Sequence, residues 1–304
     1  MNKELLTASR MSALLACLRK HYWRYEVGLR RTVDADALRF GSAWHVAMEA
    51  RWEKKDIAAA FEAAISSKTQ LDELQLAMLS GMLAGYYTRY QDDPIKSVHP
   101  EVEFNVPLVG SRTFNVAGKI DGLAVLHDGR LALVEHKTAG CDIAPDSDYW
   151  LRLRGNAQVM QYVLAARSLG WDVALVIYDV ARKPAIRQKQ NETPEQFGER
   201  LAADCQERPE FYFARREVPV LDDDLAEFQV QRLVMGRMIL SCRKEARNAR
   251  KPEHGWPRNV GETSCRICEY SGFCLQNTGV DVQHPPAGFT IGEANSELST
   301  TRRE

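Results

Sequence analysis

The spacing of apolar residues predicts helices at the start of the chain and strands after them. Apolar residues recur at helical intervals in three stretches, over 9–27, from Gly41 onward, and through the Ala- and Leu-rich stretch 56–90. Shorter runs rich in β-branched and aromatic residues predict strands at 102–108, 113–120, 122–126 and 130–137. Asp128-Gly129 between the last two strands favours a two-residue hairpin turn.

The second half mixes helices with a buried strand. Helices are predicted at 156–169, 194–207 and 221–248, and an apolar run at 174–180 predicts a fully buried strand. Beyond Val280 the residues are proline, glycine and polar types without periodicity, which favours a flexible tail over 281–304. This order of elements is typical of an α/β fold in which helices flank a central sheet.

Composition limits the classes of function. Of the 304 residues, 45% are hydrophobic and 27% are charged, and the net charge is −1. A protein of this charge does not coat nucleic acid as a whole, so DNA binding would depend on local basic patches. The apolar stretch 11–17 is too short for a secretory signal, and no stretch is long enough to span a bilayer. We therefore expect a cytoplasmic protein with no membrane partner.

The predicted hairpin brings charged side chains to one end of the sheet. With a two-residue turn, Asp121 faces His136, so that Asp121 and Glu135 are diagonal neighbours. Glu135 and Lys137 are two positions apart on one strand, and both side chains therefore leave the same face. Two neighbouring carboxylates repel each other, and a divalent cation relieves that repulsion.

This set of side chains favours metal-assisted phosphodiester hydrolysis. Carboxylate ligands suit magnesium or manganese better than zinc, and Lys137 adds a positive charge that can orient or help deprotonate an attacking water. The alternative is a salt-bridged Glu–Lys pair on a solvated face. The apolar neighbours Leu131, Leu133 and Val134 argue against a solvated strand.

Several short motifs resemble one family of nucleases. These motifs are Phe40-Gly41-Ser42-Ala43-Trp44-His45, Gly118-Lys119-Ile120-Asp121, Val134-Glu135-His136-Lys137-Thr138 and Gln158-x-x-x-Tyr162. In order and spacing they resemble the PD-(D/E)XK nuclease superfamily, and in particular its RecB-like branch. That branch includes RecB/AddB-type nuclease domains and the CRISPR-adaptation nucleases that contain an iron–sulfur cluster.

The resemblance implies a fold and a set of roles. The fold would be restriction-endonuclease-like, with a central mixed sheet flanked by helices. His45, Asp121 and Glu135 would hold Mg²⁺ or Mn²⁺ together with the backbone carbonyl of His136. Lys137 would be the catalytic lysine.

The same resemblance assigns the helix after the lysine strand. Gln158 and Tyr162 are four positions apart on one helix face. They would support the lysine or contact the DNA strand.

Four of the seven cysteines have the spacing of a metal site. Cys265-x2-Cys268-x5-Cys274 supplies three thiolates, and the resemblance implies that Cys17 is the fourth ligand of a [4Fe–4S] cluster. Zinc is the alternative, since it also accepts four thiolates and His21 or His254 could replace one of them. Either metal would join the N-terminal and C-terminal parts of the chain.

These assignments predict a single nuclease domain over 1–280. Within it, 1–31 and 250–280 form the cysteine-cluster region, 41–91 is a helical part, and 101–181 is the catalytic sheet core. The remaining residues, 281–304, form the tail.

Basic residues near the cysteines and before the Gln158 helix are candidates for DNA binding. They are Arg19, Lys20, Arg24, Arg152 and Arg154. Tyr22, Trp23 and Tyr25 lie among the first three and could stack on unpaired bases. The alternative for this segment is an amphipathic helix with its aromatic side chains in the core and its basic side chains in water.

The resulting expectation is a metal-dependent exonuclease that acts on DNA ends, with single-stranded DNA as the expected substrate, and that releases 5′-phosphate products. The chain has no phosphate-binding loop of the Gly-x4-Gly-Lys-Ser/Thr type, so a helicase or recombination partner would be a separate protein, and an oligomer is compatible with the sequence. The setting would be recombination, repair or phage DNA metabolism. The alternatives are a CRISPR-adaptation nuclease, a non-cleaving DNA-binding module with the same fold, and a zinc-stabilised scaffold with no DNA role.

Overall fold

The computed structural model describes residues 3–33, 35–67, 70–93, 95–153 and 155–298. Its strands are β1 (Glu4–Leu6), β2 (Leu29–Arg31), β3 (Ile95–Pro107), β4 (Phe114–Leu126), β5 (Leu131–Ala139), β6 (Val173–Arg182), β7 (Phe213–Pro219) and β8 (Phe289–Ile291).

The helices lie between these strands in groups of two or three. They are α1 (Ala8–Ala16), α2 (Leu18–His21), α3 (Asp36–Trp52), α4 (Ile57–Ile65), α5 (Glu73–Arg89), α6 (Asp148–Leu151), α7 (Ala157–Ser168), α8 (Pro194–Glu207), α9 (Pro209–Tyr212), α10 (Asp222–Asn248), α11 (Glu262–Arg266) and α12 (Ser271–Gln276). Within the described ranges, none of these helices has the length and apolar character that crossing a bilayer requires.

The chain divides into two compact units. The first unit consists of Met1–Asp34, Phe104–Gly118 and Asp222–Glu304, and the second unit consists of Ala35–Glu103 and Lys119–Leu221. Both parts of the predicted cysteine-cluster region belong to the first unit. The predicted helical part belongs to the second, and the predicted catalytic core contributes to both.

The second unit contains a mixed sheet flanked by helices, which confirms the predicted fold class. β4 pairs antiparallel with β5, β5 pairs parallel with β6, and β6 pairs antiparallel with β7. β6 is buried along nearly its whole length, as its apolar run predicts. Helices α3 and α7 both pack against β5, which places β5 in the interior of the unit.

The register of the β4–β5 hairpin differs by one position from the prediction. Gly122 lies opposite Val134, not opposite Glu135. The loop is longer than two residues because Leu126 donates its N–H to the carbonyl of Arg130, and Gly129 takes a positive φ of 85°. A left-handed glycine at the third loop position is typical of three-residue hairpins. Continuing this register places Asp121 directly opposite Glu135 and not diagonal to it.

Helices α5 and α8 approach each other closely through glycine. A Cβ atom added at Gly85 would lie 2.3 Å from the Cβ of Cys205, and one added at Gly81 would lie 2.6 Å from the carbonyl oxygen of Gly198. Glycine therefore sets the distance between these two helices.

The first unit contains two small pairings. The first residues of β4 pair parallel with β1, with Phe114 opposite Glu4. β8 pairs antiparallel with β2, with Ile291 opposite Leu29. Part of the stretch predicted as a flexible tail is therefore a strand, and its isolated three residues gave no periodic signal in the sequence.

The predicted helix over 9–27 is interrupted at Cys17. Cys17 is extended, with φ −169° and ψ 124°, and separates α1 from α2. Tyr22–Glu26 then forms a π-helical turn. The interruption is stabilised by a distant part of the first unit, because Arg19 donates its N–H to the carbonyl of Pro257 over 3.1 Å. Helical periodicity could not anticipate this contact.

An ionic cluster connects four elements of the first unit. Arg243 of α10 binds Glu4 over 2.6 and 2.7 Å and Glu26 over 2.7 and 2.9 Å. Arg10, which is buried, lies 3.3 Å from both carboxylates and donates to Nε2 of His21 over 3.1 Å. Two guanidinium groups therefore balance two carboxylates.

We predict that Arg243→Met destabilises the protein by on the order of 1–2 kcal/mol at neutral pH, since the cluster is partly exposed. Hydrogen bonding to Arg243 lowers the pKa of Glu4 below 4.5 although burial opposes the shift. This stabilisation is present above the ordinary pKa of Glu4 and is lost as the pH falls through the lowered value. The difference in melting temperature between wild type and Arg243→Met should therefore shrink in acid.

Calorimetry at neutral and acidic pH measures this difference, and Arg237→Met, an exposed arginine on the same helix, is the control. Equal melting temperatures of Arg243→Met and Arg237→Met at neutral pH would contradict the prediction.

We predict that Gly85→Ala lowers the free energy of unfolding by about 1–3 kcal/mol, because the clash with Cys205 outweighs the gain in helix propensity. Gly41→Ala in α3 is the matched control, since its added Cβ would meet only the Oγ1 of Thr138 at 3.6 Å. Urea unfolding of both variants measures the effect. A Gly85→Ala protein as stable as the Gly41→Ala protein would show that α5 and α8 can move apart without cost.

Candidate active site

The second unit brings together six of the side chains that the sequence predicts for catalysis. Asp121 is on β4, Glu135 and Lys137 are on β5, His45 is on α3, and Gln158 and Tyr162 are on α7. Glu135 is fully buried, whereas His45 and Lys137 are partly exposed. A buried carboxylate therefore lies next to side chains that reach solvent.

Lys137 is held by a chain of hydrogen bonds. Its Nζ lies 2.5 Å from Oε1 of Glu135 and 3.0 Å from Oε1 of Gln158. Nε2 of Gln158 in turn donates to the hydroxyl of Tyr162 over 3.1 Å. The side chain of Asn156 caps α7 by accepting the N–H of Gln158, which fixes the start of this helix. Gln158 therefore links Tyr162 to Lys137 through two hydrogen bonds.

Asp121 accepts hydrogen bonds at both carboxylate oxygens. Oδ1 lies 3.3 Å from Nδ1 of His45, and Oδ2 accepts the backbone N–H of His136 over 2.8 Å. The backbone of β5 therefore fixes one oxygen of Asp121, and α3 contacts the other.

The two carboxylates have opposite pKa shifts. Burial and the charge of Asp121 raise the pKa of Glu135, although Lys137 and His45 oppose the shift. Burial also acts to raise the pKa of Asp121, but the charge and hydrogen bond of His45, with the contacts to His136, lower it to about 2. Adjacent carboxylates with opposed shifts are characteristic of functional sites.

The negative charges of Asp121 and Glu135 also act on the pKa values of His45 and Tyr162. Desolvation acts to lower the pKa of His45, but the charge and hydrogen bond of Asp121 outweigh it and raise the pKa above 6.5. Burial and the charge of Glu135 raise the pKa of Tyr162, so its hydroxyl stays protonated at neutral pH. The site as a whole therefore favours positive charge.

A buried polar network beneath the site was missed in the sequence. Trp52 donates its indole N–H to Nε2 of His136 over 2.8 Å, and Nδ1 of His136 lies 3.4 Å from Oδ2 of Asp179. Asp179 is 1% exposed and pairs with Arg215 over 3.1 Å. Burial acts to raise the pKa of Asp179, but Arg215 and His136 hold it well below its ordinary range. Asp179 interrupts the apolar run 174–180, and a charge within a buried strand is a signal that a partner exists.

The donor set fits a divalent cation in its chemistry. Oε2 of Glu135 is buried and accepts no hydrogen bond from the described residues, so one lone-pair-rich oxygen is left for a ligand. Among those residues, however, no three His, Cys, Asp or Glu side chains are arranged as an assembled metal site. The salt bridge between Lys137 and Glu135 occupies the other oxygen of the glutamate.

The four cysteines predicted to bind metal all belong to the first unit and are partly exposed free thiols. Burial raises the pKa of both Cys268 and Cys274, and the charge of Cys17 raises both further, so Cys17 lies close enough to act electrostatically on both thiols. The charges of Lys20 and Arg19 act in the opposite direction, on Cys268 and Cys274 respectively. Burial outweighs these two cations, so the pKa of both thiols stays above the ordinary value for cysteine.

The predicted DNA-binding residues have different environments. Arg19 is buried, and its Nε donates to the carbonyl of Trp256 over 2.8 Å, so it is not available to a phosphate. Arg24 pairs with Glu269 over 3.6 Å, Lys20 is partly exposed, and Arg152 is exposed. Arg154 lies outside the described residues.

The aromatic side chains among these bases differ in the same way. Trp23 and Tyr25 are buried, as the alternative of an amphipathic helix predicts. Tyr22 is partly exposed.

Comparison with known proteins gives one family match. Residues 5–275 match the model of the PD-(D/E)XK nuclease superfamily. No curated protein matches the sequence. The matched range includes every residue of the candidate active site and all four of the cysteines considered above.

Two solved structures show weaker similarity. A protein named SSO0001 is 11% identical with a TM-score of 0.37, over 91% of this chain and 88% of that chain. A protein from Eubacterium rectale, described as a candidate exonuclease, is 13% identical with a TM-score of 0.48, over 94% of this chain and 91% of that chain.

Proposed function

The chain belongs to the PD-(D/E)XK nuclease superfamily, and we propose that it is a metal-dependent exonuclease that hydrolyses DNA from its ends. The observation that carries the proposal is the convergence of Asp121, Glu135 and Lys137 at one place in the second unit. We further propose that single-stranded ends are the substrate, that the products carry 5′-phosphates, and that the setting is recombination, repair or phage DNA metabolism.

His45, Asp121, Glu135 and the backbone carbonyl of His136 are the residues that would hold Mg²⁺ or Mn²⁺. The orphaned Oε2 of Glu135 supports this choice, because a buried carboxylate oxygen without a donor is costly unless a cation binds it. When bound, such a cation supplies charge neutralisation at the phosphate and lowers the pKa of an attacking water.

Lys137 would act on the reacting groups directly. An ammonium group has three N–H donors, and two of them point to Glu135 and Gln158. Among the described residues the third has no partner, so it can donate to a phosphate oxygen or to the attacking water. Gln158 and Tyr162 would keep the lysine in this position and so favour a productive geometry.

Exposed basic residues would hold the DNA backbone. Arg152, just before α7, is exposed and bonds only weakly, over 3.4 Å, to the carbonyl of Asp148. Lys20 and Arg24 remain candidates in the first unit. Arg19 does not belong to this set, because it is buried and its guanidinium group donates to the carbonyl of Trp256.

We predict that Lys137→Met reduces DNA cleavage by roughly 100-fold or more while the protein stays folded, because a donor to the reacting phosphate or water is lost. The measurement is the degradation of end-labelled single-stranded DNA in the presence of Mn²⁺ after anaerobic purification. Lys189→Met, at an exposed lysine of the same unit, should cut at the wild-type rate. Asp121→Ala should be inactive.

The outcomes of this cleavage assay distinguish the proposed exonuclease from its alternatives. Cleavage by Lys137→Met at the wild-type rate would refute the role of the lysine. If wild type left both single-stranded and duplex DNA intact but bound their ends, a non-cleaving DNA-binding module would replace the proposed exonuclease. Release of label as mononucleotides, in place of internal fragments, distinguishes exonuclease from endonuclease action.

We also propose that Cys17, Cys265, Cys268 and Cys274 bind a [4Fe–4S] cluster, with zinc as the alternative. The spacing Cys265-x2-Cys268-x5-Cys274 and the placement of all four cysteines in the first unit support a shared metal site. A metal at this place would cross-link α1–α2 with the segment that carries α11 and α12, and its first role would be structural.

We predict that the anaerobically purified protein contains iron and sulfide, or zinc, and that Cys268→Ser loses most of this metal. Elemental analysis per chain measures the content, and the visible absorption spectrum separates iron–sulfur from zinc. Cys141→Ser, at an exposed cysteine of the second unit, is the control and should retain the metal. Wild-type protein free of both metals would disprove the cluster without affecting the proposed nuclease site.

A further inference from the structure

The side chain of His136 is held in one tautomer. Its ring is almost fully buried, and Nε2 accepts the indole N–H of Trp52 over 2.8 Å. Because an indole N–H can only donate, Nε2 must be the unprotonated nitrogen. The ring proton therefore lies on Nδ1, which is 3.4 Å from Oδ2 of Asp179. Asp179 therefore lies at ion-pair distance from the protonated nitrogen, although the two do not form a hydrogen bond, and Trp52 donates to the other nitrogen.

Asp179 is itself fixed on two further sides. Nη2 of Arg215 lies 3.1 Å from its Oδ2, and the hydroxyl of Tyr86 donates to the same oxygen. Arg215 also binds Asp93 over 2.8 Å, and Asp93 contacts Arg51 over 3.3 Å. The carboxylate that faces His136 is therefore part of an alternating row of positive and negative charges, and it cannot shift without breaking several charged hydrogen bonds.

Helix α3 is tied to the sheet at two places on one face. His45 contacts Asp121 over 3.3 Å, and Trp52, seven residues and about two helical turns later, contacts His136. The backbone N–H of His136 also donates to Asp121 over 2.8 Å. The position of His136 therefore influences both the carboxylate of Asp121 and the helix that carries His45.

We propose that Trp52 and Asp179 are positioning residues that fix His136 and, through it, set the separation of His45, Asp121 and Glu135 for a divalent cation. This inference rests on the proposed metal-dependent function. Neither residue is among the proposed ligands of the cation. Their effect is to hold the donors in place before the cation arrives, as partners of metal ligands do in other proteins.

The test is the affinity of the full-length protein for Mn²⁺ alone, measured by isothermal titration calorimetry in the absence of DNA. Trp52→Phe keeps an aromatic ring and removes the N–H, and Asp179→Asn keeps the shape and removes the charge. We expect the dissociation constant of each variant to rise roughly 10- to 100-fold. The control is Trp171→Phe, because the ring of Trp171 packs on His99 and not on His136.

Melting temperatures recorded on the same samples separate positioning from folding. A purely structural role of Trp52 would lower the melting temperature of Trp52→Phe and leave its Mn²⁺ affinity equal to that of Trp171→Phe, and this outcome would overturn the inference. Should Asp179→Asn fail to fold, Trp52→Phe alone decides the question. Absence of Mn²⁺ binding by wild type would refute the proposed metal site and, with it, the inference. Equal Mn²⁺ binding by wild type and all variants would refute the inference alone.

Discussion

Repulsion between Asp121 and Glu135 governs the organisation of the second unit. The register of β4 and β5 places them opposite each other, and the surrounding sheet buries Glu135 completely. Without compensation, two carboxylates this close cannot both stay ionised. Lys137 and His45 supply positive charge from two elements, and the backbone N–H of His136 binds one oxygen. The unit thus holds one strongly acidic carboxyl group beside a weakly acidic one.

A second layer of charge lies behind this pair. Asp179 and Arg215 are removed from water together with Asp93 and Arg51, and such buried ionic groups often contribute little to stability when compared with apolar side chains of similar size. These charged groups instead fix the relative positions of the elements that carry them. Charged hydrogen bonds are directional, so a network of them specifies the spacing between α3, β5 and β6 more narrowly than apolar packing would.

The sequence predicted the elements and most of the site because both depend on local signals. Periodicity identified the helices that carry His45 and Gln158, and the alternation along β5 placed Glu135 and Lys137 on one face. The family assignment followed from the order of these motifs, and the match over 5–275 confirms it at the level of the superfamily. The iron–sulfur branch stays a prediction.

The errors arose where distant residues decide the local structure. The hairpin register depended on a glycine with positive φ, which shifts the strand pairing by one residue. The break at Cys17 and the burial of Arg19 both depend on the segment that contains Trp256 and Pro257. The network around Asp179 joins residues from five elements, and no spacing in the sequence connects them. Pairings of this kind have large sequence separation and leave no periodic trace.

The division of the chain into segments has a consequence for synthesis on the ribosome. Both segments of the second unit precede residue 222, whereas the first unit needs Asp222–Glu304 in addition to the N-terminal Met1–Asp34. At roughly 5–20 residues per second, the N-terminal segment waits on the order of 10–40 s before synthesis of its C-terminal partner segment begins. During that time α1, which packs against α10 in the finished protein, lacks this partner. The N-terminal segment can therefore complete its unit only after the second unit has been synthesised in full.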